Sequence, residues 1–379
     1  MTETFPLPAS PPTEVIFGFL DSEGNYRSRG FGSNEAGDAV PLLRPNDDVM
    51  GSIQENVETW RAGVHTKLQQ ALAGVPRAEA DLGLDRMDHY YQALGLSAAP
   101  VVVVRNVGDL PKSGFAKVFS DVFYNNPHRS GYYFNVPRLV VAAERLQVQS
   151  PHNLEHTIVH EKAHGTGRNT VMVMLSPTGE LKAVVVRNGF STLSHFDDRA
   201  ETVVQQGERA EESQAEMFAG TYARLFLPRE ETMVIRNGSD QLEVDAKYGQ
   251  KDPRDGITMT SAPLAMALEL IIERDPSILE HLVAARVSID GLRRFATGVN
   301  GQVPKFYGQL LHGRHQWDAN VDLLTGVVDT LYDGDRDVLK KTGGAVLSFV
   351  VNKLQAYEQQ TGYDFGLPAA YAEDTKLAA

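Results

Sequence analysis

The sequence predicts an α+β protein, and three observations carry that prediction. Short β-branched runs, Val101–Val104 above all, are scattered through the first half among turn residues. Helical periodicity fills most of the chain after Pro263. Between them, residues 151–163 form one helix that carries a metal-ligand motif.

Taken in order, Glu14–Asp21 and Tyr26–Phe31 read as a hairpin turning at 22–25, and 32–48 as a loop. Ile53, Val57, Trp60, Val64, Leu68 and Leu72 recur at helical spacing, and a second helix is expected over 78–94. Lys117–Tyr124 and Tyr132–Ala142 read as strands, the second at a sheet edge because Pro137 cannot donate to a ladder. Pro151 suits the first turn of the motif helix, and Thr166 with Gly167 is expected to end it, Gly in a left-handed cap. Strands 170–175 and 181–187 form a hairpin, and 209–225 return to helix before Pro228. Residues 238–260 read as a loop, followed by helices near 263–274, 276–295 and 336–360. The expected organisation is an N-terminal accessory segment (1–97), a catalytic domain (98–235) and a helical C-terminal domain (236–379).

Composition narrows the function. The 379 residues hold 42% hydrophobic and 22% charged residues, as an ordinary globular protein does. With 36 basic against 49 acidic residues the formal charge is −13, so nucleic acid is not an expected partner. Without cysteine, any metal must be held by His, Asp or Glu. No signal segment or membrane span is read, so a soluble cytoplasmic protein is expected; oligomeric state is not assigned.

His160-Glu161-Lys162-Ala163-His164 sets two imidazoles one helical turn apart, able to face one ion, with Glu161 beside them as a base for water. Zinc fits such a site, since three protein ligands leave a position open for catalysis. A third ligand is expected from the helix containing Glu211-Glu212-Ser213-Gln214-Ala215-Glu216, where Glu212 and Glu216 share a face. Spacing alone leaves either as the ligand; we assign Glu212, with Glu216 orienting a ligand histidine. His152 and His156 continue the four-residue spacing upstream and are expected to serve as neighbours or surface groups. His195 and Tyr222 are the candidate oxyanion stabilisers, and His312 with His315 reads as a solvated loop.

These motifs resemble those of the zincin metallopeptidases, in their glutamate-ligand (gluzincin-like) branch. Glu-x-x-Ala-Glu followed by Phe218-Ala219 and Leu227-Pro228 is similar to the second zinc helix of phage-repressor-cleaving peptidases. His-Glu-Lys-Ala-His-Gly-Thr-Gly with Glu-Glu-x-x-Ala-Glu resembles the zincin domain of plasmid antirestriction proteins. The likeness covers about residues 101–228. It implies a zincin-like core of a small mixed sheet and two zinc helices, one Zn2+ per chain, and a protein or peptide substrate added along a cleft strand, with 132–141 the candidate. Two other functions remain open: a zinc-binding interaction domain without turnover, and a zinc amidohydrolase acting on a non-protein substrate.

Overall fold

The computed structural model describes residues 14–16, 19–20, 26–27, 30–33, 39–42, 47–73, 75–76, 82–110, 112, 117, 123, 131–134, 138–143, 151–175, 181–196, 203–227, 232–237, 240–245, 261–368 and 371. Within them the chain is α+β. The strands are β1 (Glu14–Ile16), β2 (Phe19–Leu20), β3 (Tyr26–Arg27), β4 (Gly30–Ser33), β5 (Ala39–Leu42), β6 (Val101–Val104), β7 (Gly131–Phe134), β8 (Leu139–Ala143), β9 (Asn169–Leu175), β10 (Leu181–Asn188), β11 (Ser191–Phe196), β12 (Val203–Gln206), β13 (Thr232–Asn237) and β14 (Asp240–Asp245). The helices are α1 (Asp47–Leu72), α2 (Leu84–Ala93), α3 (Pro151–Gly165), α4 (Glu208–Phe226), α5 (Ala262–Arg274), α6 (Ser277–Val287), α7 (Ile289–Gln302), α8 (Phe306–His312), α9 (Trp317–Tyr332) and α10 (Gly344–Thr361).

Among the described residues the chain forms two larger sheets, one of which packs against the motif helix α3. That sheet is three-stranded and mixed, in the order β6-β8-β7, with β8 parallel to β6 and antiparallel to β7. All five residues of β8 are buried, as befits a central strand. The other has five strands in the order β1-β9-β10-β11-β12, antiparallel except where β1 joins β9 in parallel.

Several expectations change here. The stretch expected as one strand over 132–142 is a hairpin, because Arg138 takes the left-handed conformation (φ 64°) and turns the chain. That unusual backbone is held by its guanidinium, which donates to the carbonyls of Gly165 and Ser97. Of the expected strand 117–124, only Lys117 and Phe123 are described, and both are helical. At the N-terminus β2 pairs with β3, but β1 pairs with β9, and β5 lies within the expected loop and pairs with β4. The hairpin β13–β14 likewise occupies part of the expected 238–260 loop; residues 246–260 lie outside the described set. The expected helix 276–295 divides at Ser288, whose extended backbone and side chain cap α7 by accepting from Gly291 N. The last expected helix begins as a 3-10 turn (Arg336–Lys341) and becomes α10 only after Gly343. Gly167 is not left-handed; its lack of a side chain has another cause, given below.

A large buried core joins the helices, while most of the β6-β8-β7 sheet packs in a second cluster with Leu72, Leu110 and Phe123. The large core includes Met87, Tyr90 and Tyr91 of α2, Leu154, Ile158 and Ala163 of α3, Ala215, Phe218 and Tyr222 of α4, and Leu268, Ile271, Leu292, Phe295, Leu324 and Leu354 of the C-terminal helices. Helix α4 is buried almost all round, as a helix at the centre of a fold must be. Its small residues Ala215 and Ala219 are fully covered.

Candidate metal centre

On α3 the residues at four-residue spacing sort into two faces. Leu154 and Ile158 enter the core, while His156, His160 and His164 turn toward the carboxylates of α4. Helix α4 answers with Glu211, Glu212 and Glu216, all close to that row of imidazoles.

His160, His164 and Glu212 each direct one ligand atom at a common point, all within 4.8 Å of one another. His160 Nε2 lies 3.2 Å from His164 Nε2 and 3.1 Å from Glu212 Oε2, and His164 Nε2 lies 3.5 Å from Glu212 Oε1. Both histidines are buried, while the Glu212 side chain is partly exposed, so the point is reached from solvent on the Glu212 side. This cluster could hold a metal ion.

The opposite ring nitrogens are occupied. His160 Nδ1 lies 2.9 Å from Glu216 Oε2, and His164 Nδ1 3.4 Å from Glu211 Oε1. A carboxylate accepts only, so each Nδ1 has a partner for its proton, and Nε2 is the nitrogen that would ligate an ion once the ion displaces the proton now shared between His160 Nε2 and Glu212. Glu216, fully buried, also faces His156 Nε2 at 3.2 Å, which ties the upstream histidine into the network without making it part of the cluster.

The electrostatics follow from that arrangement. Burial opposes charge on Glu211, but Arg286 and His164 prevail and hold it down to about 2. Burial likewise opposes charge on Glu216, and His156 and His160 hold it down to about 2. Glu212 is also lowered: burial is overridden by His164 and His160, with a contribution from His315. Burial works against a proton on His160, yet Glu212 and Glu216 raise it well above the ordinary histidine value. His164 is raised as well, burial being outweighed by Glu212 and Glu211. Four carboxylates, those of Glu161, Glu211, Glu212 and Glu216, thus bear on the two imidazoles, and a cation is what the site favours.

Glu161 projects from the same turn of α3, and its Oε2 accepts from Tyr133 N at 2.8 Å. Val140, opposite Tyr133 in the ladder, donates toward Pro100 on the β6 side, so Tyr133 N points to the outer edge of β7. Among the described residues β7, and not the whole of 132–141, is therefore an edge strand, and Glu161 occupies part of its outer side.

Tyr222 is taken out of the site: its hydroxyl accepts from Arg86 Nε at 3.0 Å, and its ring packs edge-on against Tyr90. His195 lies on β11, opposite Val184 and Val203, and not in a loop. His312 ends α8 and is exposed. His315 lies in the connection between α8 and α9 as expected, but it is partly buried and contributes to lowering the Glu212 carboxyl. Its tautomer is set by a relay from α4. Arg209 Nε donates to Asn320 Oδ1 at 2.8 Å, so Asn320 Nδ2 donates to His315 Nδ1 at 3.2 Å and the proton sits on Nε2. Sequence reasoning also passed over Glu211 and Arg286; the adjacent acids Glu211-Glu212 were the only available signal.

Comparison of the chain with protein-family models, with curated proteins and with solved structures returned no match in any of the three. Function therefore has to be argued from the site.

Proposed function

We propose that the chain is a zinc-dependent metallopeptidase with a zincin-like core, in which His160, His164 and Glu212 hold the ion and Glu161 is the general base. The observation that carries this reading is the spacing of the three ligand atoms. Donors placed tetrahedrally about 2.1 Å from one ion stand about 3.4 Å from each other; here one atom from each residue lies within 4.8 Å of the other two, the two Nε2 atoms are 3.2 Å apart, and Glu212 reaches both rings, through Oε2 to His160 (3.1 Å) and Oε1 to His164 (3.5 Å). Two nitrogens and one carboxylate oxygen are also a donor set that zinc accepts with a position to spare.

Zinc bound there would polarise a substrate carbonyl and acidify water. Glu161 takes the proton of the attacking water and delivers it to the departing amine. An extended peptide adding to the outer edge of β7 would bond to Tyr133 N–H, the group that Glu161 now accepts from, and so release the carboxylate toward water. His315, with its Nε2 proton fixed by Asn320, serves as the donor to the developing oxyanion. The resemblance to glutamate-ligand zincins over 101–228 supports the roles given to His160, Glu161, His164 and Glu212, and a protein or peptide is the substrate this reading implies.

A zinc-binding interaction domain without turnover would need the ligands but not a base at 161. Metal analysis by plasma mass spectrometry of wild type, His160→Ala and Glu212→Ala, with hydrolysis of a denatured protein mixture by wild type and Glu161→Gln, separates the readings. The expected result is one zinc per wild-type chain, lost in both ligand variants but kept in Glu161→Gln, whose hydrolysis is abolished. Metal-free wild type after incubation with zinc would end the proposal. Zinc without hydrolysis of proteins or small amides would favour the interaction domain, and hydrolysis of small amides alone the amidohydrolase.

A further inference from the structure

Arg286 is the last but one residue of α6, 75 positions beyond Glu211, and its side chain is fully buried beside the metal centre. Nη1 donates to Glu211 Oε2 at 2.6 Å; Nη2 donates to the carbonyls of Ala163 (2.8 Å) and His164 (3.1 Å); Nε donates to Thr166 Oγ1 at 3.0 Å. Its own carbonyl accepts from Arg168 N at 2.8 Å. The C-terminal end of α3, where carbonyls lack partners within the helix, is thus closed by a cation from a distant helix.

We propose that Arg286 is a positioning residue of the metal centre. Its guanidinium fixes the Glu211 carboxylate against His164 and clamps the end of α3, so the ligand set is complete only when the C-terminal helices are docked. The inference rests on the metal reading above. Glu211 Oε2 is held from two sides, by Arg286 and by Phe190 N at 2.8 Å, which leaves Oε1 facing His164 Nδ1 and Gln214 Nε2, each at 3.4 Å. The carboxylate that orients His164 therefore has no freedom to turn.

The surroundings are shaped to the guanidinium. A Cβ on Gly189, whose backbone is left-handed (φ 57°), would lie 2.0 Å from Nη1; one on Gly167 would meet the Gly189 backbone at 2.6 Å and Nη2 at 2.9 Å, so the two glycines pack against each other and leave room for the guanidinium. This close approach to Gly189, and not a helix cap, accounts for Gly167. Phe190, beside Gly189, covers the cation with its ring 5.7 Å away. A buried ion pair adds little net stability over apolar residues of the same shape, so orientation of a ligand is the purpose that explains this one.

The test uses the full-length protein, with zinc affinity measured by competition with a chromophoric chelator and the visible spectrum recorded after Co2+ substitution. Arg286→Ala and Glu211→Gln are each expected to weaken zinc binding by about 10- to 100-fold and to change the Co2+ ligand-field bands. The double variant should be no weaker than either single one, because both act through the same carboxylate. Guanidinium ion added at millimolar concentration should restore affinity to Arg286→Ala. Should Arg286→Ala not fold, Glu211→Gln decides, since it leaves the Arg286 bonds to Ala163, His164 and Thr166 in place. Wild-type zinc affinity and Co2+ spectrum in a folded variant would overturn the inference alone. Absence of zinc binding by wild type would overturn the metal reading and this inference with it.

Discussion

Glu211, Glu212 and Glu216 are three carboxylates on one helix, and register gives each a different task. Glu212 faces the two Nε2 atoms, Glu216 one turn on faces His160 Nδ1, and Glu211, rotated away, pairs with Arg286 and His164. The four-residue period exposes the first two in the sequence. Glu211 is hidden because its partner lies 75 residues downstream, beyond any local pattern. The same limit applies to His315: the His-Gly-Arg-His string suggests solvent, and only the Arg209–Asn320 relay gives its ring a direction. If it is the oxyanion donor, His315→Ala should keep one zinc per chain and lower kcat by about 100- to 1,000-fold with little change in KM. Steady-state kinetics beside metal analysis would check this, and unchanged kcat would remove His315 from the mechanism.

At the scale of elements, α3 was legible because two signals agree on it: Pro151 at its start and a histidine row at helical period. The hairpin β7–β8 was not, because its turn depends on Arg138 holding a left-handed backbone through bonds to Gly165 and Ser97. Nor was the docking of α3 against its neighbours. Lys162, within the motif, is buried and reaches Asp88 Oδ1 of α2 at 2.7 Å and the Ala99 carbonyl ahead of β6 at 2.9 Å. Tyr91 of α2 donates to the Val159 carbonyl at 2.7 Å. Removing Asp88 leaves an ammonium buried with one carbonyl, whereas removing the ammonium leaves a half-exposed carboxylate that water can solvate. Asp88→Ala should therefore cost about 3 kcal/mol, and Lys162→Met appreciably less. Urea unfolding of both metal-free variants measures the difference, and equal losses would show that Lys162 is not held as a charge by Asp88.

For the molecule as a whole, the sequence gives no sign that its two halves share an interior. Strands and the metal motif occupy one half and helical periodicity the other, which reads as a catalytic domain followed by a helical one. Among the described residues one buried cluster brings α2, α3 and α4 together with the C-terminal helices, from Leu82 to Phe365, while most of the β6-β8-β7 sheet packs in a second cluster. Helix α4, bearing Glu211, Glu212 and Glu216, packs between α3 and α5, and every residue of α5 from Ala262 to Ile272 is buried. Leu264, Met266, Leu268, Leu270, Ile271 and Ile272 of α5 contribute on the order of 10 kcal/mol of apolar burial. That is comparable with the entire net stability of a domain, about 5–15 kcal/mol. A chain ending at residue 260 would expose the α4 face that α5 covers and would also leave Glu211 buried without Arg286. Such a truncated chain should show no cooperative urea transition, weak near-ultraviolet dichroism and no tight zinc binding. The full-length chain should unfold in one transition that moves to higher urea when zinc is added. A truncated chain with a sharp transition and the full chain's zinc affinity would mean that the residues before 260 fold alone, and that the helices beyond them only decorate a finished site.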